Sequence, residues 1–500
     1  MQLSRCIAPL FVLALGACAA IPNLGTAPTP LSNQDIAASQ SLPAGEGVWP
    51  VDRWWTAYGD PQLDALMDEG LRGAPDLKAA MARFRKAAGM AQSAGAALAP
   101  SVDASLDVKA NKQSYNNGFP SDFVPQGWLG QGQAALNIGF DLDLWGRNRA
   151  ALAAATSEAR AAQIEAAQAR LTLTTGIAQA YADLARLHDE RAIRAATLDL
   201  REATRKLVSD RLKSGLDTRG DMRQADAGVA AARADLGANE ESIALRRNQI
   251  AALIGAGPDR ALTITAPRTA TLAARPLPGD VTTALVARRP DVAAALARTQ
   301  AAASRIKVAR ADFFPAISLG AMIGFQALGY QTSFSDAGIS GQAKPLTDLL
   351  FDKGSFIGGV GPAISLPIFH GGALKGQYRS ARATFDEAVA LYDRTVLDAY
   401  REVADAVTSQ ASLARQIADA RAALAASQDA YSIARKRYEG GLSNYLDVLV
   451  VEERLLQARR IAAELDSRAL NIDIALIRAL GGGYAPAPAQ YPAAKDPSHG

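Results

Sequence analysis

The feature that most restricts how this chain can fold is that much of it is written twice. "APDLKAAMARFRKAAGMAQSAGAALAPSVDASL" (74–106) lies over "RPDVAAALARTQAAASRIKVARADFFPAISLGA" (289–321) at a constant offset of 215 positions. Pro75 falls on Pro290, Asp76 on Asp291, Arg83 on Arg298 and Pro100 on Pro315. Farther on, "DRLKSGLDTRGDM" (210–222) lies over "KRYEGGLSNYLDV" (436–448) at an offset of 226, matching Arg211 with Arg437, Gly215 with Gly441, Leu216 with Leu442 and Asp221 with Asp447. A repeat of this length means two copies of one structural unit, with about eleven residues inserted in the second. The copies are expected over 49–273 and 274–480.

Each copy reads in one order: helix, two strands, a very long helix, a glycine turn, a second helix. The prolines at 100 and 315 mark the change from helix to extended chain, because the residue before proline is pushed out of the α region. After Pro100, Val102, Ala104, Leu106 and Val108 alternate with Asp103, Ser105, Asp107 and Lys109. In "ALNIGFDLDLW", Leu136, Ile138, Phe140, Leu142 and Leu144 alternate with Asn137, Gly139, Asp141 and Asp143. The second copy supplies Ile317, Leu319, Ala321, Ile323 and Phe325, then Val360, Ile364, Leu366 and Ile368. These period-2 segments of about ten residues fit strands of a membrane barrel, and equally four half-buried strands of an ordinary sheet.

The long segments are helical. From about Leu374 to Tyr438 a seven-residue repeat holds Val389, Val396, Val403, Gln410, Ile417, Leu424, Tyr431 and Tyr438. Small residues such as Ala399, Ala406 and Ala420 sit three positions later, a seam that lets helices approach closely. About 65 residues at ~1.5 Å each make a rod on the order of 100 Å. Such a rod suits a structure that bridges a compartment. Gly440-Gly441 ends it, and Ser443 or Asn444 caps the next helix, to about Leu480; Gly215 and Thr218 serve the first copy alike. These tip turns, Gly215, Leu216, Asp217 and Thr218 with Gly441, Leu442, Ser443 and Asn444, are candidates for partner contact.

The N-terminus is an address. Met1 to Arg5 carries one positive charge, Ile7 to Leu15 is apolar, and Gly16-Ala17 precede Cys18, the order of a secretion signal too short to span a bilayer as a helix. Leu15-Gly16-Ala17-Cys18 resembles the bacterial lipobox, whose cysteine is acylated and becomes the mature N-terminus. Residues 1–17 are thus expected to be removed, Cys18 to be lipidated, and 18–48 to form a Pro-rich tether; Ala19, where an Asp would imply inner-membrane retention, points to the outer membrane. The Pro/Ala-rich tail 481–500 is expected to be disordered.

Enzymatic chemistry finds no support in the motifs. The three histidines, His188, His370 and His499, show no metal-ligand spacing, and "GQGQAA" from Gly130 opens a strand, which defeats a dinucleotide reading. No metal, cofactor or catalytic residue is expected. Lys plus Arg, 53, nearly cancel Asp plus Glu, 50, and are interspersed, so nucleic acid is not an expected partner.

Four amphipathic strands cannot close a barrel alone, and a sheet edge open to lipid is prohibitively costly. The strands must be pooled between chains. Two chains give eight strands and a filled interior; three give twelve and room for a lumen. The polar face, with Asp103, Asp107, Asp141, Asp143 and Ser318, would line water. The fold expected from these arguments is an α+β membrane protein, an oligomeric channel continued by a helical tube into the periplasm.

The resemblance is then specific. "VDRWWTAYGDPQLDALMDEGL", "FDLDLWGR", "RRPDVAAALARTQAAASRIKVARADFFPAISL", "SLPIFHGG" and "RYEGGLSNYLDVL" resemble the outer-membrane factors of tripartite efflux systems, in particular the lipoprotein branch that serves resistance-nodulation-division pumps. The resemblance covers about Trp49 to Gly483. It implies a homotrimer with a twelve-stranded β-barrel in the outer-membrane lipid and a long α-barrel below. It also implies a periplasmic adaptor docked on the tip, an inner-membrane pump that supplies energy, and passive conduction of drugs or other toxic small compounds. Opening would follow from iris-like relaxation of the helices after Gly215 and Gly441.

One departure concerns the constriction. Many relatives read "YLDVLDAQR" at the second tip, whereas this chain reads "YLDVLVVEER", with Val450 at the Asp position and Glu453 at the Arg position. The candidate gate is therefore Leu446, Asp447, Val450 and Glu453, more apolar than usual, with Leu446 and Val450 stacked at i and i+4; the bland reading is that these valines pack in the helix seam. Channels for type I protein secretion or polysaccharide export share the architecture, and a lipid-anchored periplasmic scaffold without a pore is the reading from another class.

Overall fold

The structure is a computed structural model that describes residues 21–43, 45–116, 118, 124–268, 275–335 and 338–485. The signal segment, Cys18 and the tail beyond Ala485 lie outside the described residues. The chain forms two compact units, one of Met1–Pro28, Lys86–Ala159 and Arg298–Ala388, the other of Thr29–Arg85, Arg160–Ala297 and Val389–Gly500. Each unit draws on both copies of the repeat, so the sequence repeat and the compact unit are different divisions of this chain.

The paired elements of the two copies are α1 (Pro61–Gly73), α2 (Pro75–Ala96), β1 (Ser101–Asn111), β2 (Leu129–Asp141), α3 (Arg147–Lys213) and α4 (Arg219–Leu253) in the first. A short α5 (Pro258–Leu262) leads on to α6 (Val281–Arg288), α7 (Pro290–Ala311), β3 (Ala316–Leu328), β6 (Phe356–Ser365), α9 (Ala373–Glu439) and α10 (Tyr445–Ala479) in the second. Between β3 and β6 the second copy carries the hairpin β4 (Tyr330–Ser335) and β5 (Gly338–Ala343) and the one-turn helix α8 (Leu346–Leu349), three elements beyond the four expected strands. Pro75 and Pro290 open their helices, and β1 and β3 each begin one residue after Pro100 and Pro315. The strand alternation read through Leu142 and Leu144 stops at Asp141. Asp143 takes φ +43° and accepts hydrogen bonds from the backbone N–H of Asn148 (2.8 Å) and Arg149 (3.0 Å), which starts α3.

In the first unit the strands form one antiparallel sheet in the order β1-β2-β3-β6. Its register gathers apolar side chains on one face: Val102 stands opposite Ile138, Ile138 opposite Ala321, and Ala321 opposite Val360. On the other face Asp103 stands opposite Asn137, and Asn137 opposite Met322. Val102, Leu106, Leu136, Ile323, Val360 and Ile364 all remain exposed in the single chain. An apolar face of this size, bare to solvent, is what a strand needs if lipid covers it.

In the second unit the motif "RWWTAYGDP" packs as a unit. Trp54–Tyr58 form a 3-10 turn whose aromatic rings are buried, and Asp60 caps α1 ahead of Pro61. Asp60 also accepts hydrogen bonds from the Tyr181 hydroxyl (2.6 Å) and the Arg268 N–H (2.8 Å). Burial opposes ionisation there, but these donors hold its carboxyl below the usual value. Arg289, buried, is clamped by Asp291 (2.6 Å), Glu402 (2.7 Å) and the Ala479 carbonyl (3.1 Å). The seam of α9 is buried at Val389, Val396, Val403, Tyr431 and Tyr438, and its one polar member, Gln410, donates to the Arg275 carbonyl.

The tether is held at several points, although most of its described residues are exposed. Thr26 accepts a hydrogen bond from Arg382 (2.6 Å) in the first unit. In the second, the Leu31 N–H donates to Asp393 (2.8 Å), Leu42 is buried beside Leu277 and Val281, and Gly47 pairs with Pro278. This segment is broken by a 3-10 turn at Asn33–Asp35 and a second turn closed by the Leu42 N–H on the Ala38 carbonyl, and it is seated rather than slack.

Candidate functional site

The two tip turns are built by one device used twice. In α3 the Gly215 N–H bonds the Leu212 carbonyl (3.0 Å) and the Leu216 N–H bonds the Arg211 carbonyl (2.9 Å). In α9 Gly441 bonds Tyr438 (3.0 Å) and Leu442 bonds Arg437 (2.8 Å). Both glycines have φ +75°, the left-handed conformation that closes such a cap at little cost only for glycine. The residue after the glycine in this cap usually folds its side chain back onto the helix. Here Leu216 and Leu442 stay 65% and 75% exposed, so both tips display an apolar side chain.

Each following helix starts with a capping box. Thr218 Oγ1 accepts the Asp221 N–H (3.2 Å), and Asp221 accepts the Thr218 N–H (2.9 Å). Asn444 Oδ1 accepts the Asp447 N–H (2.9 Å), and Asp447 accepts the Asn444 N–H (3.4 Å). The matched pair Asp221 and Asp447 therefore sits at the same capping position in both copies. The choice between Ser443 and Asn444 is resolved in favour of Asn444.

The tips are joined by a side-chain network. Arg211 Nε lies 3.2 Å from both Asp217 oxygens, and Arg211 Nη1 donates to the Tyr438 carbonyl at 3.0 Å. The Arg211 guanidinium stands 4.4 Å over the Tyr438 ring, and the Tyr438 hydroxyl donates to Asp217. Tyr438 is fully buried and packs with Val208, Ala225, Tyr431, Tyr445, Val448 and Leu455. Burial, reinforced by the Asp217 anion and opposed by Arg211, raises its phenol well above the ordinary value, so it remains a hydrogen-bond donor.

Farther along α10, Glu452 is wholly buried, with Arg201 Nε 2.9 Å from Oε1. Neither carboxylate oxygen accepts a well-aligned hydrogen bond among the described residues. Arg201 is shared, since its Nη2 lies 3.3 Å from Glu453. Burial pushes the Glu452 carboxyl up, Arg201 offsets part of this, and Glu453 adds to it.

The candidate gate residues fall on α10. Leu446 and Val450 are 52% and 53% exposed and share a face one turn apart, whereas Val448 and Leu455 enter the core. Val450 thus does not pack in the seam of its own chain, whereas Val451, partly buried, packs against the core that Val448 enters. Asp447 is exposed and engaged in the cap, while Glu453 turns to Arg201.

Sequence reasoning missed Arg201, Arg211 and Glu452 as parts of this site, and placed Tyr438 only in the seam. A tyrosine in a buried seam needs a partner for its hydroxyl, which was the available signal. The repeat held another: Asp217 matches Ser443, so only the first turn brings a carboxylate.

The comparisons agree on one family. A family model described as "Outer membrane efflux protein" matches residues 66–256 and 282–482. The pyoverdine export outer membrane protein OpmQ of Pseudomonas putida is 31% identical over 487 residues, covering 96% of this chain and 97% of the relative. The multidrug resistance outer membrane protein MdtP of Shigella flexneri is 29% identical, covering 92% of each chain. Among solved structures, the outer membrane protein VceC of Vibrio cholerae matches with 42% identity and a TM-score of 0.79, covering 87% of this chain and 100% of that one. The outer-membrane channel OprN matches with 26% identity and a TM-score of 0.79, covering 93% and 99%.

Proposed function

This chain belongs to the outer membrane efflux protein family, a family of channels and not of enzymes, and from that premise we propose that it is the outer-membrane conduit of a tripartite efflux system. Three copies pool their strands into a twelve-stranded barrel, and the long helices form the periplasmic tube. The observation that carries this reading is the sheet: four strands, apolar on one face, with β1 and β6 left as edges. In lipid those edges must be paired by other copies, and three copies leave a water-filled lumen lined by Asp103 and Asp107.

The tip turns supply the partner contact. Leu216 and Leu442, left exposed after the glycine caps, present two apolar side chains per chain, six in a trimer, to a periplasmic adaptor that links the channel to a resistance-nodulation-division pump. The channel is passive, and the energy comes from the pump. It carries drugs or other toxic small compounds, as the names of relatives such as the multidrug resistance protein suggest. In the resting tip Arg211, Asp217 and Tyr438 hold the two helix hairpins together, and Leu446 and Val450 form an apolar constriction on the threefold axis. Loss of the Tyr438 contact lets the hairpins part.

Purified full-length protein in planar bilayers tests the conduit. Discrete current steps from a trimeric preparation are expected; a protein that stays monomeric and silent would be a lipid-anchored scaffold instead. Copurification with an adaptor and pump encoded beside it tests the partnership.

A further inference from the structure

We infer that the turn Leu346–Phe351, which lies outside the barrel strands, is a membrane-interface foot that completes the lipid-facing wall at the extracellular rim. The inference rests on the barrel reading above.

The strand face that carries Val102, Leu136, Ile138 and Val360 is the apolar one, and on β2 it is formed by the even-numbered residues. Continuing along that face away from α3, the next positions are Ala134, Gly132 and Gly130, so β2 runs out of apolar side chains. The gap is filled from elsewhere in the chain. A Cβ on Gly132 would sit 2.9 Å from Leu346 Cδ2 and 3.3 Å from Leu350 Cδ1, and a Cβ on Gly130 3.3 Å from Leu346 Cβ. The two glycines form a notch, and Leu346 and Leu350 occupy it.

Beside the notch stands an aromatic group on the same face. Phe325 packs edge-on against Phe351 at 5.7 Å and against Phe356 at 6.0 Å. Phe351 is 66% exposed, and Phe356, together with Trp128 just before β2, is exposed as well. Packed leucines beside bare aromatic rings, gathered at the ends of the strands away from α3, are the pattern of a chain at the boundary between acyl chains and headgroups.

Topology fixes which boundary. β1 follows α2 and β2 leads into α3, so the helical ends of the strands face the periplasm and the notch lies at the opposite ends, in the outer leaflet. The turn covers β2 and β3, the two central strands of the sheet, and not the edges β1 and β6 where other copies pair. The occupant of its exposed surface is therefore the outer-leaflet lipid.

Single nitroxide labels on the full-length protein in phosphatidylcholine vesicles test this, in a Cys6→Ala, Cys18→Ala background. Phe351→Cys is compared with Ile323→Cys on the apolar face and Asp103→Cys on the polar face, by collision with oxygen, which concentrates in lipid, and with a nickel chelate, which stays in water. The label at 351 is expected to favour oxygen as the one at 323 does. Adding Gly132→Leu, which fills the notch, should shift the 351 label toward the nickel chelate and leave 323 unmoved. A 351 label that favours the chelate, or is shielded from both reagents by another copy, overturns the foot while 323 still reports lipid. If 323 itself reports water, the barrel reading has failed.

Discussion

The Tyr438 hydroxyl donates a hydrogen bond to the carboxylate of Asp217, tying the last turn of α9 to the tip turn after α3 across 221 positions of sequence. Because Arg211 binds the same carboxylate and covers the same ring, the three side chains form a closed unit that only this pairing of turns can assemble. A hydrogen bond to a charged group is worth about 2 kcal/mol, which corresponds to roughly a thirty-fold change in an equilibrium. Tyr438→Phe keeps the ring and removes the bond, and Asp217→Asn removes the charge. Both are expected to raise the open probability of single channels by about that factor without changing trimer yield. Open probabilities equal to the parent protein would show that the network is structural only.

Leu446 and Val450 present the exposed face of α10 at the tip. If this face closes the pore, the barrier is one of dewetting, and a charge there wets it. Val450→Asp is expected to increase cation conductance at low voltage, and Leu446→Ala to widen the closed state. Unchanged single-channel records for both would remove these residues from the constriction.

Glu452 gives the tip a pH dependence of definite sign. Its carboxyl is raised above the ordinary 4.5 by burial, with Arg201 offsetting part and Glu453 adding, so the folded chain holds a proton that the unfolded chain has already lost. The stabilisation is complete below the unfolded value and is lost as pH rises through the folded value. Tyr431 and Tyr445, the other titratable groups facing it, stay protonated because burial raises both. Glu452→Gln should therefore flatten the fall in thermal stability expected as pH rises above the ordinary carboxylate value. A parent-minus-variant difference that does not change with pH would mean that Glu452 does not titrate in this range.

Cys18 is expected to carry the lipid, while the docked chain from Thr26 to Gly47 already holds the N-terminal segment in place. On that footing Cys18→Ala slows delivery to the outer membrane more than it weakens assembled trimers. Fractionation over time, with trimer melting in parallel, distinguishes the two. A mutant that sorts at the normal rate would make the lipid dispensable, and one whose trimers melt early would make it structural.

What the sequence determined by itself was everything carried by neighbours along the chain. Alternation at period 2 placed β1, β2, β3 and β6, the seven-residue seam placed α9, and Gly215, Gly441, Thr218 and Asn444 marked the tip turns, because strand pleat, helix pitch and caps are local energies. The duplication supplies four amphipathic strands, and the cost of an open sheet edge in lipid requires that they be pooled between chains. Tertiary structure alone decided the rest. Whether Asp217 meets Tyr438, Arg201 meets Glu452, or Leu346 fills the space left by Gly132 depends on segments far apart in sequence arriving with compatible side chains. Val448 and Val450 are both valine, two positions apart, yet one is buried and the other bare. Only the packing of α10 against its neighbours decides which way each one faces.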